Sequence, residues 1–143
     1  MMAYQSSYPA EIVVDPEVVR FFETFYKISD TPGALDEYID LFTEDATFIL
    51  ASKKVSEIIP LRQSMWTTVE ARAHSIPQIF PFGGGSHEYM LYGTVALGLK
   101  NGNKGEVEWA GRSVLEKSAT DGKWRMKFYQ IYLDTGATAA YEN

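Results

Sequence analysis

Apolar residues follow a helical period in the first half of the chain and an alternating period in the second. The helical part opens with Asp15-Pro16, an N-cap residue followed by a proline in the first turn, which marks the start of a helix. Apolar and aromatic residues then recur every three or four positions until Asp30. The pattern predicts three helices, at about 16–29, 34–42 and 57–73, and a short buried strand at 46–50.

The second half alternates between apolar and polar residues, which is typical of strands with one buried face. Glycine-containing turns separate the strands at 83–86, 101–103 and 120–122. Pro77 and Pro81 cannot donate to a sheet ladder, so the strand that carries them is predicted to lie at an edge or to contain a bulge. The predicted strands cover 75–82, 87–100, 106–117 and 124–135.

Helices followed by strands predict an α+β fold. The longest predicted strands exceed the usual five or six residues, so the sheet must curl strongly. We expect a curved antiparallel sheet that wraps around three N-terminal helices as a cone and encloses an apolar, aromatic-lined pocket. The 143 residues are predicted to form one domain over 1–143, with residues 1–14 as a loose arm and residues 136–143 as a frayed tail.

The composition of the chain argues against several classes of function. The formal charge is −6 and the Lys and Arg residues are scattered, so nucleic acid is not an expected partner. The absence of cysteine and the presence of only two histidines argue against disulfides, thiolate sites and a catalytic zinc site. No apolar run reaches membrane-spanning length, so no membrane partner is expected. We predict a cytoplasmic protein that uses no metal and no cofactor.

Two groups of motifs resemble known proteins. LFTEDATFIL, ARAHSIPQIF and the order of elements over about residues 15–135 resemble the NTF2-like superfamily. FFETFYKISD, FPFG, YGTV and VEWAGR look like fungal SnoaL-like proteins of natural-product gene clusters, and most of all like the isomerases of fungal tetrahydroxanthone biosynthesis. The resemblance implies a cone-shaped NTF2-like fold and a cofactor-independent isomerase of fungal secondary metabolism. It also implies that a His and a Glu move protons on a polycyclic phenolic small-molecule substrate.

His74 is the first candidate catalytic residue. It is predicted to lie where the third helix gives way to the first long strand, at the rim of the cone. An imidazole titrates near neutrality and therefore suits general acid–base catalysis. The alternative is a structural histidine that is held by hydrogen bonds, and the resemblance favours catalysis.

Glu108 is the second candidate, and its role depends on which face of the strand at 106–117 lines the pocket. One parity of this strand carries Glu108 and Arg112, and the other carries Trp109. The resemblance requires an inward Glu, so we expect Glu108 to face the pocket, with Arg112 pairing with it or binding an oxyanion. With the opposite parity the two residues form only a surface pair. Glu106 shares the parity of Glu108 and is the fallback.

The remaining candidates are expected to bind substrate. Tyr26 lies on the bulky side of the first helix, where ketosteroid isomerases of this superfamily keep an oxyanion-binding Tyr. Leu50 occupies the position of the base in those enzymes, and its apolar side chain argues against a steroid-isomerase mechanism. Aromatic and thioether side chains suit a flat polycyclic ligand, although each one taken singly is better explained as core. The other residues expected in the pocket are Phe22, Phe48, Met65, Trp66, Met90 and Tyr92.

Two rival functions remain open. A dehydratase or cyclase of the same fold would use the same histidine as its acid. A non-catalytic NTF2-like module would bind a ligand or a partner without turnover. In each case a homodimer is expected through the convex face of the sheet, because a long exposed face with apolar residues needs cover.

Overall fold

The computed structural model describes residues 4–141 and confirms the α+β class. No helix in this part of the chain is long and apolar enough to cross a membrane. In chain order the elements are α1 (Pro16–Ser29), α2 (Leu35–Ile39), β1 (Phe42–Leu50), β2 (Lys53–Lys54), α3 (Ile58–Ser64), β3 (Val69–Pro81), β4 (Glu88–Leu99), β5 (Lys104–Lys117), β6 (Trp124–Tyr132) and a 3-10 helix (Ala139–Tyr141).

The strands form a six-stranded curved sheet in the order β2-β1-β6-β5-β4-β3. Neighbours are antiparallel except for β1 and β6, which run parallel. β3 is therefore an edge strand, and its register with β4 shifts between Ser75 and Gln78, a stretch that contains Pro77. This confirms the prediction from the prolines, because Pro77 has no amide hydrogen to donate to a neighbouring strand.

Helix α1 forms where the sequence predicts it and packs on the concave side of the sheet. The Asp15 side chain caps it by accepting a hydrogen bond from the amide of Glu17 at 2.8 Å. Its buried aromatic side chains contact those of the sheet, and the rings of Phe25 and Tyr129 pack edge-to-face with 5.2 Å between their centroids. Aromatic side chains of α1 and of the strands thus fill the inside of the cone.

The second and third helices are shorter than predicted. α2 has five residues and α3 has seven, and β1 begins shortly after α2. The chain leaves α3 early because Thr67, Thr68 and Val69 are β-branched, and Val69 pairs with Leu99 of β4. His74 consequently lies within strand β3 and not at a junction between helix and strand.

Part of the N-terminal arm, which is predicted to be loose over 1–14, is bound to the edge of the sheet at Ser6 and Ser7. The amide of Ser7 donates to the carbonyl of Pro77 at 2.9 Å, and the amide of Ile79 donates to the carbonyl of Ser7 at 3.0 Å. These backbone groups of β3 lie on its outer edge, and the arm satisfies them. Residues 1–3 lie outside the described part.

The tail predicted to fray over 136–143 packs against the turn between β4 and β5. The side-chain amide of Asn103 donates to the carbonyl of Tyr141 at 2.9 Å. The ring of Tyr141 lies so close to Gly105 that a Cβ atom there would be 2.3 Å from it. Tyr141 is thus held against this turn, and residues 142–143 lie outside the described part.

The parity of β5 decides which residues enter the interior. Val107, Trp109 and Leu115 are buried, and Trp109 contacts Tyr26 of α1 at 5.5 Å between ring centroids. Glu108 has the opposite parity and is exposed. The prediction that Glu108 faces inward is wrong, because burying large apolar side chains is favourable whereas burying an unpaired carboxylate is costly.

A buried arginine of α3 holds the C-terminal end of α1. Arg62 is 2% exposed. Its guanidinium donates to the main-chain carbonyl oxygens of Ser29 at 2.6 Å, Ile28 at 3.1 Å and Gly33 at 3.2 Å, and also to that of Thr31. Helix geometry leaves the last carbonyl oxygens of a helix without partners, and a cation at this end also opposes the helix dipole.

We expect Arg62→Met to lower the free energy of unfolding by at least about 3 kcal/mol, because four carbonyl oxygens lose a charged donor. Arg20→Met is the matched control, since Arg20 is exposed on α1. It removes the same charge without removing a buried contact. Urea unfolding followed by circular dichroism measures both variants, and equal stabilities would contradict this role of Arg62.

Candidate active site

His74 and Asp30 form a hydrogen-bonded pair between β3 and the end of α1. Nδ1 of His74 lies 2.5 Å from Oδ1 of Asp30, and the two side chains keep 14% and 5% of their surface exposed. Asp30 is the C-cap residue of α1, so the helix fixes the position of its carboxylate. The two residues are 44 positions apart in the sequence, and they meet only because α1 lies against the sheet.

The Asp30 carboxylate accepts three hydrogen bonds and thereby sets the tautomer of His74. Besides Nδ1 of His74 it receives the backbone amide of His74 at 2.7 Å and the hydroxyl of Tyr4 at 2.8 Å. Because a carboxylate is only an acceptor, Nδ1 carries the hydrogen and Nε2 presents its lone pair. Nε2 makes no hydrogen bond within residues 4–141. His74 can therefore accept a proton at Nε2 while Asp30 stabilises the imidazolium.

Aromatic rings surround the imidazole of His74. Its centroid lies 5.1 Å from that of Tyr26 and 5.6 Å from that of Trp109, which it meets edge-on. The hydroxyl groups of Tyr26 and Tyr129 share a hydrogen bond of 2.8 Å. Nε1 of Trp109 and Oγ of Ser113 are buried without a hydrogen-bond partner in the described part of the chain. The imidazole is thus packed among flat rings, and the interior also holds polar atoms whose hydrogen-bonding capacity is unused.

Burial keeps the interior tyrosines protonated. Desolvation raises the pKa of Tyr26 and of Tyr129 well above the ordinary value of 10. It also raises the pKa of Tyr38 to about 12, against the opposing charges of Arg62 and Arg72. At neutral pH these phenols are hydrogen-bonding groups and not bases.

The structure does not bring the two predicted catalytic residues together. Across β4, His74 aligns with Val107, whereas Glu108 aligns with Ser75 in the neighbouring row. Side chains of neighbouring rows point to opposite faces of a sheet. Glu108 and His74 therefore share no cavity, and the predicted His–Glu pair is wrong as geometry.

Three predicted substrate contacts also lie on the convex face. Nε of Arg112 donates to Glu88 at 2.6 Å, and its guanidinium lies 4.6 Å from the ring centre of Phe128. Met90 and Tyr92 are 42% and 43% exposed. All three are wrong as pocket residues, because their positions in the paired strands β4 and β5 have the same parity as Glu108.

The other predicted contacts stand on the concave side, where their surroundings differ. Tyr26 contacts His74, whereas the remaining side chains belong to the core or its margin. Trp66 lies under two cations, with its ring centre 5.3 Å from the guanidinium of Arg62 and 5.5 Å from that of Arg72. Phe22 and Phe48 are fully buried, Leu50 is half-buried at the end of β1, and Met65 and Trp66 are half-buried after α3.

Asp30 is the partner of His74 that the sequence analysis missed. In the sequence it opens the break Asp30-Thr31-Pro32-Gly33 after the first helix, and this pattern indicates only a turn. Its role depends on a partner in another element, which no local pattern specifies. The one hint is that Asp30 closes the FFETFYKISD motif on which the family resemblance rests.

A groove of 1340 Å³ opens elsewhere, between α2, β1 and the turn after β5. Phe42 and Phe48 form part of its wall. Its rim carries Asp40 and Asp121, and both carboxylates accept hydrogen bonds from Arg125. His74 is not on this wall. We place the candidate site at His74 and not in this groove, because the His74–Asp30 pair is the arrangement suited to proton transfer.

Comparison with solved structures identifies the fold. A candidate aromatic ring hydroxylase of Novosphingobium aromaticivorans is similar with a TM-score of 0.72 and 17% identity, over 82% of this chain and 86% of that chain. Nuclear transport factor 2 of Cryptosporidium parvum is similar with a TM-score of 0.65 and 14% identity, over 86% of this chain and 99% of that chain. ActVI-ORFA of Streptomyces coelicolor is similar with a TM-score of 0.68 and 16% identity, over 82% of this chain and 95% of that chain. The fold is NTF2-like.

No family model and no curated protein sequence matches the chain. At identities below one fifth, the likeness to solved structures establishes the NTF2-like fold and nothing further. The three neighbours carry names of different kinds, from a hydroxylase to a transport factor. The activity of this chain therefore has to be argued from its site.

We expect the free energy of unfolding to fall as the pH rises above 10. Because burial raises the pKa of Tyr38 to about 12, the folded state keeps a proton that the unfolded state loses. The stability that this group contributes is complete below pH 10 and is lost as the pH rises to about 12.

Tyr38→Phe removes this titration and is expected to flatten the fall by up to about 1.4 kcal/mol per pH unit. Tyr132→Phe is the control, since Tyr132 is exposed. Urea unfolding at a series of alkaline pH values measures the slopes. Equal slopes for Tyr38→Phe and Tyr132→Phe would contradict the role of burial.

Proposed function

We propose that this chain is a cofactor-independent isomerase that moves a proton on a polycyclic, aromatic-polyketide-derived substrate of tetrahydroxanthone type in fungal secondary metabolism. The observation that carries the proposal is the His74–Asp30 pair, in which Nε2 of His74 has no hydrogen-bond partner among residues 4–141 and lies beside the rings of Tyr26 and Trp109. A base held in one tautomer next to flat rings suits an acidic C–H bond in a flat ring system. The likeness to a candidate aromatic ring hydroxylase supports aromatic chemistry in this fold.

In the proposed reaction His74 is first the base and then the acid. Nε2 removes a proton from a carbon α or γ to a ring carbonyl, and the electrons of the broken C–H bond form an enolate. Asp30 stabilises the imidazolium through the hydrogen on Nδ1. The imidazolium returns the proton to the other end of the conjugated system, so the double bond moves and the composition stays the same. A single base takes the place of the His–Glu pair, because Glu108 lies on the other face of the sheet.

A dehydratase is the second candidate, and the same single acid–base group favours it. After proton removal, the imidazolium of His74 stands on one face of the substrate and can protonate a leaving hydroxyl on that face. The non-catalytic binding module differs from both enzymes, because it requires no proton transfer. The products of the reaction therefore distinguish the three functions.

We expect His74→Gln to lower kcat by about 10²- to 10⁴-fold, because glutamine cannot accept the proton. Asp30→Asn is also expected to lower kcat, since its amide can donate to Nδ1 and so favour the wrong tautomer. His87→Gln is the matched control, because His87 packs on Trp124 outside the site. Glu108→Gln is expected to stay active, which tests the assignment of faces directly.

The assay uses a tetrahydroxanthone-type substrate in deuterated water. Isomerisation gives a product of unchanged skeleton, which contains deuterium to the extent that the proton on His74 exchanges with solvent before it is returned. Dehydration gives a product that has lost one water. A binding module shows saturable affinity and no product. Full activity of His74→Gln, with its fold verified by circular dichroism, would overturn the proposal.

We also propose that the convex face of the sheet joins two copies of the chain. Phe80 and Tyr92 are 44% and 43% exposed there, and their rings stack at 6.1 Å between centroids. Met90 pairs with Phe80 across β3 and β4 and is 42% exposed. A two-fold contact through this face would cover the same apolar patch on both copies.

We expect the wild-type protein to sediment as a dimer at micromolar concentration and Tyr92→Glu to sediment as a monomer. The introduced carboxylates of the two copies would lie close together in a two-fold contact, where they would repel each other and lose water. Val13→Glu is the control, because Val13 is 92% exposed on the N-terminal arm. A monomeric wild-type protein would rule out the dimer.

A further inference from the structure

Arg72 stands two residues before His74 on the same face of β3. Ala71 and Ala73 are exposed on the other face, so the side chains of Arg72 and His74 start about 7 Å apart on the concave side. The guanidinium of Arg72 lies 5.5 Å from the ring centre of Trp66. The strand itself therefore places a cation beside the candidate base.

Arg72 forms no ion pair within the described residues. Arg112 and Arg125, in contrast, have carboxylate partners. Nη2 of Arg72 donates to the carbonyl of Met65 at 2.7 Å, whereas its Nε is buried without a partner and its Nη1 makes no hydrogen bond within residues 4–141. Nε of Arg72 is the donor that is costly to leave unpaired, whereas Nη1 is not among the buried atoms and is open to an acceptor supplied by a ligand.

The charges around Arg72 favour an anion. Arg62 and Arg72 both lie over Trp66, and Asp30 is the carboxylate that interacts with both of them. Two cations and one anion leave this cluster with one positive charge in excess, in a chain whose net charge is −6. Arg62 uses both Nη atoms on carbonyl oxygens of the α1 end, and Asp30 is occupied by His74. Nε of Arg62 and Nε1 of Trp66 are, like Nε of Arg72, buried without a partner among the described residues, and Arg72 alone also keeps an unused Nη atom.

We propose that Arg72 binds an anionic oxygen of the substrate, a phenolate or a carboxylate, and so selects acidic aromatic compounds. This inference rests on the proposed function, because it places that oxygen next to the carbon from which His74 removes a proton. A charge-assisted hydrogen bond from Nη1 holds the oxygen. The same positive charge stabilises the enolate as it forms. Arg72 is thus a specificity-determining residue, and the substrate class is an aromatic acid.

Equilibrium binding tests this proposal without turnover. The probes are xanthone-2-carboxylate with its neutral carboxamide, and a hydroxyxanthone at a pH where it is ionised with its methyl ether. Calorimetric titration of both pairs separates carboxylate from phenolate recognition. We expect the wild-type protein to bind the charged member of at least one pair about 10- to 100-fold more tightly than the neutral member.

Variants at position 72 are compared with a charge-matched control. Arg72→Gln is expected to remove the preference for the charged probe. Arg72→Lys is expected to keep part of it, because an ammonium restores the charge without the planar fork of donors. Arg20→Gln changes the net charge equally at an exposed position of α1 and is expected to bind like the wild type.

A purely structural role of Arg72 predicts a different result. Loss of its contact with Met65 would weaken both members of a probe pair and lower the thermal stability. Equal affinities of the wild type for charged and neutral probes, binding of neither, or an equal loss of both in Arg72→Gln would overturn the proposal.

The same titrations with His74→Gln separate this inference from the proposed function. A preference for the charged probe in an inactive His74→Gln protein supports both. A preference that persists while His74→Gln remains fully active overturns the acid–base function and leaves the anion site standing. If His74→Gln is inactive and the wild type shows no preference for the charged probe, the acid–base function stands and the anion site is overturned.

Discussion

One buried guanidinium holds the end of α1, and the geometry around His74 depends on it. Arg62 supplies donors to carbonyl oxygens that helix geometry leaves unpaired, at a place almost closed to water. Asp30 caps the same end of the helix, so the position of its carboxylate follows from this contact. Arg62 of α3 is therefore linked to His74 by a short series of contacts, which pass through the end of α1 and Asp30 rather than through the sheet.

The sheet contributes the second constraint, which is the choice of face. Large apolar side chains of β5 enter the cone because their burial is favourable, and the carboxylates between them must then face outward. Among the described residues, the interior holds the His74–Asp30 pair, a hydrogen-bonded pair of tyrosines and Arg72, which forms no ion pair. In the proposed reaction this leaves His74 both to take and to return the proton, which is why we assign both steps to it.

Local signals account for what could be predicted from the sequence. The N-cap, the first-turn proline and the apolar period of α1 all lie within residues 15–29, and the proline-bearing edge strand follows from a missing amide hydrogen. The lengths of α2 and α3 could not be predicted, because pairing in the sheet decides where each helix gives way to a strand. The pairing of Asp30 with His74 could not be predicted for a related reason, since the two residues are 44 positions apart in the sequence. The face of Glu108 depended on which side of β5 receives α1.

The N-terminal arm protects the protein in two ways at once. By bridging to β3, Ser7 closes a strand edge that would otherwise offer free backbone groups to another chain, which is the usual starting point of edge-to-edge aggregation. Three residues earlier, Tyr4 donates its hydroxyl to Asp30. If this segment is displaced, β3 exposes unpaired backbone groups at its edge, and the Asp30 carboxylate loses a hydrogen bond. Resistance to aggregation and the arrangement of the candidate base are therefore linked through one short stretch of chain.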